Sequence, residues 1–256
     1  MGFILIRNVF LALCVAFGPG AQARIDDGSL LAQGDAYDAR LDTAHALESY
    51  LQAEKLGRRD ADLLYRIARQ YALSMNDTGS KDEQRQRGEK ALEYAQRAVA
   101  ADPRHAKAQL SVAICYGRLL PFGDARTKVQ YSRLIKEYAE TALRLDPTDS
   151  YAYHVLGAWN YELAKLNPLM RSAARLIYGA MPAASNEAAV RYLREAVARA
   201  PERVSHHVEL GRAYAAIGEA APARAELQAA LGLPNREKDD PESRRRAIET
   251  LRELED

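Results

Sequence analysis

The stretch VSHHVELGRAYAAIGEAAPARAELQAALGLP, residues 204–234, decides the fold. Leu210 and Gly211 are followed by Tyr214, then Gly218, then Ala223, Leu227 and Ala230, then Pro234. Apolar residues recur at helical spacing on both sides of Gly218, which predicts two helices joined by a tight turn. Gly211 and Ala223 are small enough for the two helices to approach closely, while Tyr214 and Leu227 are expected to fill the space between successive hairpins. Gly218 permits the left-handed conformation that ends the first helix, and Pro222 is tolerated in the first turn of the second.

Working backwards, the second-helix pattern returns at identical intervals of four, three and five residues. It reads Ala189, Leu193, Ala196 and Pro201, then Ile135, Ala139, Ala142 and Pro147, then Ala91, Ala95, Ala98 and Pro103. First helices show Leu156 with Gly157, Ala113 with Tyr116, and Ala68 with Tyr71, while Gly34, Tyr37, Ala46, Tyr50 and Ala53 form a first hairpin. This order matches the tetratricopeptide pattern, L-G-x2-Y then A-x3-F then P, with Leu in the aromatic position. The expected fold is all-α: a right-handed α-solenoid of about five helical hairpins. The only tryptophan, Trp159 in YAYHVLGAWNYELA, is then a joint of that scaffold rather than the edge of an active site.

The repeat is irregular. Prolines 103, 147 and 201 lie 44 and 54 residues apart, where a plain unit takes about 34. Three insertions account for this. NDTGSKDEQRQRG (76–88) reads as a solvent loop leading into a lengthened helix, and LLPFGDARTKVQ (119–130) as a longer turn. In LNPLMRSAARLIYGAMPAAS (166–185), Leu169, Ala173, Leu176 and Ile177 follow helical spacing and predict an extra amphipathic helix near 167–178. From Asp240-Pro241 a final helix is expected to cap the stack, with Ile248, Leu251 and Leu254 on its apolar side and Arg244, Arg245 and Arg246 toward water.

Composition narrows function. Lys plus Arg number 36 against 35 Asp plus Glu, so the net charge points to no nucleic-acid partner. The opening MGFILIRNVFLALCVAFGPGAQA has the order of a secretory signal peptide, with cleavage expected after Ala23 and a periplasmic or secreted product. Its apolar run is shorter than the roughly 20 residues a membrane span needs. The expected division is therefore a signal peptide at 1–23, a first hairpin at 24–58, repeats with insertions at 59–236 and a cap at 237–256. Once the signal is removed, Cys115 is the only cysteine, and its apolar setting LSVAICYG reads as core.

No catalytic or cofactor motif is present: there is no G-x-S-x-G elbow, no Gly-rich phosphate loop and no C-x2-C pair. His206 and His207 are adjacent and point about 100° apart on a helix, which is not the i, i+4 arrangement of a zinc helix. The carboxylates Asp239 and Asp240 lie in a charged linker, where solvation accounts for them. The expectation is a non-enzyme with no cofactor and no metal. Side chains flanking the packing stripe of the first helices face the concave side of such a stack, and these are Tyr65, Arg69, Tyr151, His154, Tyr161 and Arg212. Tyrosine and arginine are enriched at binding hot spots, so they form a candidate groove for a protein or peptide partner. The alternative reading is a membrane-associated interaction protein using the N-terminal segment or the helix near 167–178.

The run from about Leu63 onward resembles the regulator of microtubule dynamics family of tetratricopeptide-like proteins. The resemblance lies in LLYRIARQYA, GEKALEYAQRAVAADPRHAKA, TKVQYSRLIKEYAETALRLDPTDSYAYHVLGAWNYELA, MRSAARLIYGAMPAAS and VELGRAYAAIGEAAPARAELQAALGLP, and in the order of the insertions. Gly157, Trp159, Tyr161 and Glu162 are similar to the family's G-x-W-x-Y-E segment. The resemblance implies a shared helical-repeat fold and a shared adaptor role. It brings no catalytic residue with it, and an exported chain would not meet microtubules.

Overall fold

The computed structural model describes residues 26–166 and 183–255, with Ser172 and Arg175 between them. Among these residues there are eleven α-helices and no strand. They pair in order along the chain: α1 (Asp27–Asp38) with α2 (Thr43–Lys55), α3 (Ala61–Ser74) with α4 (Lys81–Ala101), and α5 (Ala106–Leu119) with α6 (Ala125–Leu145). Next come α7 (Ser150–Ala164) with α8 (Asn186–Arg199), then α9 (Val204–Ala216) with α10 (Ala220–Gly232). The last helix, α11 (Asp240–Glu253), packs on α9 and α10. The expected solenoid of five hairpins and a cap is therefore the fold. The signal segment at 1–23 and, apart from Ser172 and Arg175, the helix expected near 167–178 lie outside the described residues.

Local chemistry starts most of these helices. Asp26, Asp42, Asp60, Ser80, Asp124, Asp149 and Ser185 each accept a backbone N–H from the first turn of the helix they precede, and His105 does so through its ring. In α9, α10 and α11 no side chain caps the start. Gly218, with φ of +80°, ends α9 in the left-handed conformation, as its position in the sequence predicts.

Within hairpins the packing is size-matched. Where the first helix carries glycine, the buried residue opposite is large: Gly34 faces Tyr50, Gly157 faces Leu193 and Gly211 faces Leu227. Where the first helix carries Ala68 or Ala113, the residue at the equivalent interval is Ala95 or Ala139, all four fully buried. Leu227 thus sits on Gly211 of its own hairpin, rather than only between hairpins, while Tyr214 packs against Ala189, Val190 and Leu193 of the preceding one. Trp159 is buried in the central core cluster and its Nε1 donates to the Ser132 carbonyl at 2.8 Å, the role of a joint. Cys115 is buried in the same cluster, and burial pushes its thiol up to about 12.

Three expectations are corrected. The first insertion is a short loop at 78–80 leading into a lengthened α4, as expected, but the second adds helix as well as turn: residues 125–130 belong to α6, and α4 and α6 both reach 21 residues. Ser80 and Asp124 cap these starts, and the Lys, Glu, Gln and Arg that follow favour helix, so polarity here marks a solvated helix. On α11, Leu251 and Leu254 pack on the last core cluster as expected, but Ile248 is exposed, and the buried positions are Asp240, Ser243, Ala247 and Thr250, small or polar residues that let α11 lie close to α9. Arg244 and Arg246 do not simply face water. Arg244 donates to the Leu231 and Leu233 carbonyls at the end of α10, and Arg246 reaches the buried carboxylate of Glu209.

Candidate functional site

Side chains of helices α3, α5, α7 and α9 line a cavity of about 1400 Å³. Its apolar part comes from Leu110 and Ile114 on α5 and from Val155, Trp159 and Leu163 on α7. Small residues on the packing stripes seat each first helix against the second helix of its hairpin, and the flanking positions then point into the space between successive first helices.

Of the six side chains singled out in the sequence, Tyr65, Arg69, Tyr151, His154 and Arg212 line this cavity. Tyr65 packs on His105 with ring centroids 6.0 Å apart. Arg69 pairs with Asp38 at the end of α1, which also accepts from the Gln70 amide at 2.9 Å. Tyr161 is not among the lining residues. It stands behind Arg212, whose guanidinium lies 4.7 Å from its ring centroid, and braces that side chain.

Deeper in, the site is an ionic and aromatic cluster. Glu209 is 2 % exposed and accepts from Arg212 at 2.7 Å and from Arg246 at 2.5 Å. Burial opposes its charge, but Arg246 and Arg212 override that and hold its carboxyl below the usual range. Tyr151 meets His154 and His206 edge-on, at 5.8 and 5.2 Å between centroids. The two histidines face each other with Nδ1 atoms 3.2 Å apart. Burial pushes His154 down to about 4 and pushes His206 lower still, helped by the neighbouring His154, so both are neutral bases at neutral pH. His207, pointing the other way, is held by Glu226 at 2.6 Å and by the Pro201 carbonyl at 2.8 Å.

The segment between α10 and α11 crosses this cavity. Glu237 accepts from Arg203 and from the Tyr151 hydroxyl; Lys238 donates to Thr43 at 2.8 Å and to Asp77 at 2.6 Å; Asp239 accepts from Asn76 and Arg118. Asp240, 2 % exposed, accepts from the backbone N–H groups of Arg236 and Glu237 at 2.7 and 2.8 Å and fixes the turn. The strap formed by residues 236–239 ties the last hairpin to the first. Reading Asp239 and Asp240 as solvated linker carboxylates is therefore overturned. Spacing gave no sign of the strap, nor of Arg118, Arg203 and Arg246, because their partners lie far away in sequence, and Glu209 reads from sequence only as a surface pair with Arg212 three residues on. The one available signal is a short, charge-alternating linker held between Pro234 and Pro241.

A family model described as Regulator of microtubule dynamics protein 1-3 matches residues 30–255. Regulator of microtubule dynamics protein 1 of Bos taurus is 28% identical over 199 residues, which cover 77% of this chain and 63% of that protein. Its Mus musculus counterpart is 26% identical over 233 residues, 90% of this chain and 75% of its own length. Among solved structures, a thermophilic TPR protein of Thermus thermophilus superposes with a TM-score of 0.62 at 19% identity, covering 88% of this chain and 98% of that one.

Proposed function

This chain belongs to the regulator of microtubule dynamics family, and from that premise we propose that it is a non-catalytic helical-repeat adaptor that receives a protein or peptide partner on its concave face. The observation that carries this reading is the cavity of about 1400 Å³, where an apolar wall from α5 and α7 meets Tyr65, Arg69, Tyr151, His154 and Arg212. Aromatic and arginine side chains beside a desolvated apolar surface are the usual anchors of protein recognition. The proposal includes export: the order of residues 1–23 supports a periplasmic or secreted protein, and the microtubule activity in the relatives' name is left with those relatives.

Affinity capture tests it. The wild-type chain, retrieved from an extract of its source, is compared with a folded variant in which Tyr65, Arg69, Tyr151, His154 and Arg212 are alanine. A partner held by the wild type and lost by the variant supports the adaptor reading, and equal capture by both removes the groove. Sequencing the N-terminus of the retrieved protein tests export, since a start at Arg24 is expected and an uncut Met1 would remove it.

A further inference from the structure

The strap resembles a bound peptide more than a linker. Three consecutive side chains, Glu237, Lys238 and Asp239, make polar contacts with α2, the 3-10 turn at residues 75–77, α5, α7 and the start of α9. The concave wall supplies donors to two carboxylates placed two residues apart: Arg203 and Tyr151 to Glu237, Arg118 and Asn76 to Asp239. Between them the wall supplies an acceptor, Asp77, to a lysine.

The local backbone gains little from this arrangement. Asp239 occupies the N-cap position of α11, yet its carboxylate turns away to Arg118 and Asn76 and caps nothing. Each of the other six N-cap aspartates and serines that open α1 to α4, α6 and α7, and Ser185 before α8, does accept an N–H from its own helix. Arg203, at the start of α9, is likewise committed to Glu237. At Asp239 the groove therefore takes a carboxylate that would normally cap its own helix. The strap does not satisfy every polar atom of the lining side chains either, because Arg203 Nε and Arg246 Nε are buried without a hydrogen-bond partner. Glu237, Lys238 and Asp239 all keep partial contact with solvent, so their ion pairs are screened and can exchange.

Resting on the adaptor reading and deepening it, we propose that residues 236–239 are a tethered occupant of a peptide subsite. The partner that takes their place is an extended segment carrying acidic, basic and acidic side chains in succession. The tether competes through its high effective concentration, so the partner's apparent Kd rises by the ratio of closed to open strap.

The test uses the chain's own sequence as the probe. A fluorescein-labelled peptide, NREKDDP (residues 235–241), is titrated by anisotropy into the full chain and into the Glu237→Ala/Lys238→Ala/Asp239→Ala variant. Binding to the variant at least tenfold tighter than to the wild type is expected, and adding Arg118→Ala and Arg203→Ala should abolish it. Equal binding to both chains, or none to the folded variant, overturns the proposal. If the triple variant does not fold by circular dichroism, Glu237→Gln/Asp239→Asn carries the same comparison with the same outcomes. The adaptor reading fails separately. A partner captured through the groove, together with a peptide that ignores the opened variant, removes the tethered-occupant proposal and leaves the adaptor standing.

Discussion

At Gly211 a single methyl group would come within 2.6 Å of Leu227 Cγ and 3.1 Å of the Ala223 carbonyl oxygen. At Gly117, also inside a helix, nothing lies within 4 Å of the same position. The two glycines therefore predict opposite signs for one substitution. Gly211→Ala should destabilise by about 1–3 kcal/mol through overpacking, and Gly117→Ala should stabilise by about 0.5–1 kcal/mol through helix propensity. Denaturant titration of both variants measures this, and two shifts of the same sign would contradict the hairpin register. The facing histidines give a second residue-scale prediction. His154 and His206 are neutral when folded, whereas the unfolded chain takes up protons near pH 6.5. Stability present above pH 6.5 should therefore fall as the pH drops toward 4, where His154 itself begins to charge beside Arg203, Arg246, Glu209 and Asp239. His207 has the opposite sign: Glu226 raises it, so its contribution is complete below 6.5 and is lost as pH rises through its folded value. Thermal melts across pH 4 to 7 check the first effect. In His154→Asn/His206→Asn the acid slope should flatten, and an unchanged slope would assign it to carboxylates instead.

At the scale of elements, α11 is fastened by charge as much as by apolar surface. Arg246 on α11 and Arg212 on α9 share the buried carboxylate of Glu209. Removing Arg246 leaves a buried charge half-compensated, so Arg246→Ala should cost about 3 kcal/mol. Adding Glu209→Gln to Arg246→Ala should recover part of that, as urea unfolding of both single variants and the double variant would show; purely additive losses would mean that the pair is not coupled. These same elements show how much was legible in the sequence. Hairpins were legible because small and large residues at fixed intervals are a local record of contact, which Gly211 and Leu227 illustrate. Five of the six groove residues reach the cavity because helical spacing from that stripe sets their direction. The lengthening of α6 was misread because polar residues serve a solvated helix and a loop equally well. The buried face of α11 was only partly legible, through Leu251 and Leu254, because Ser243, Ala247 and Thr250 carry little hydrophobic signature. The strap was missed because charge patterning does not say which charge on a distant helix will answer it.

For the whole molecule, the strap's ties across all five hairpins are expected to constrain the curvature of the stack. With Glu237, Lys238 and Asp239 replaced by alanine, the radius of gyration from X-ray scattering should increase, and added salt should move the wild type in the same direction by screening the ties. A radius unchanged under both conditions would mean that hairpin packing alone sets the curvature. In an ordinary stack each unit feels only its neighbours, and the two terminal units fray first. Here Lys238 grips Thr43 across 195 residues of chain and Asp239 grips Asn76 across 163. Joining the ends turns a ladder into a loop, so opening either end requires breaking contacts at the other. Amide protons of α2 should then exchange slowly in the wild type and faster in Lys238→Ala, although that substitution lies in the last connection of the chain. The same topology gives the fold an order of events: local hairpins form while only nearby chain is needed, and loop closure must wait for residue 239. Until then the concave face stands open.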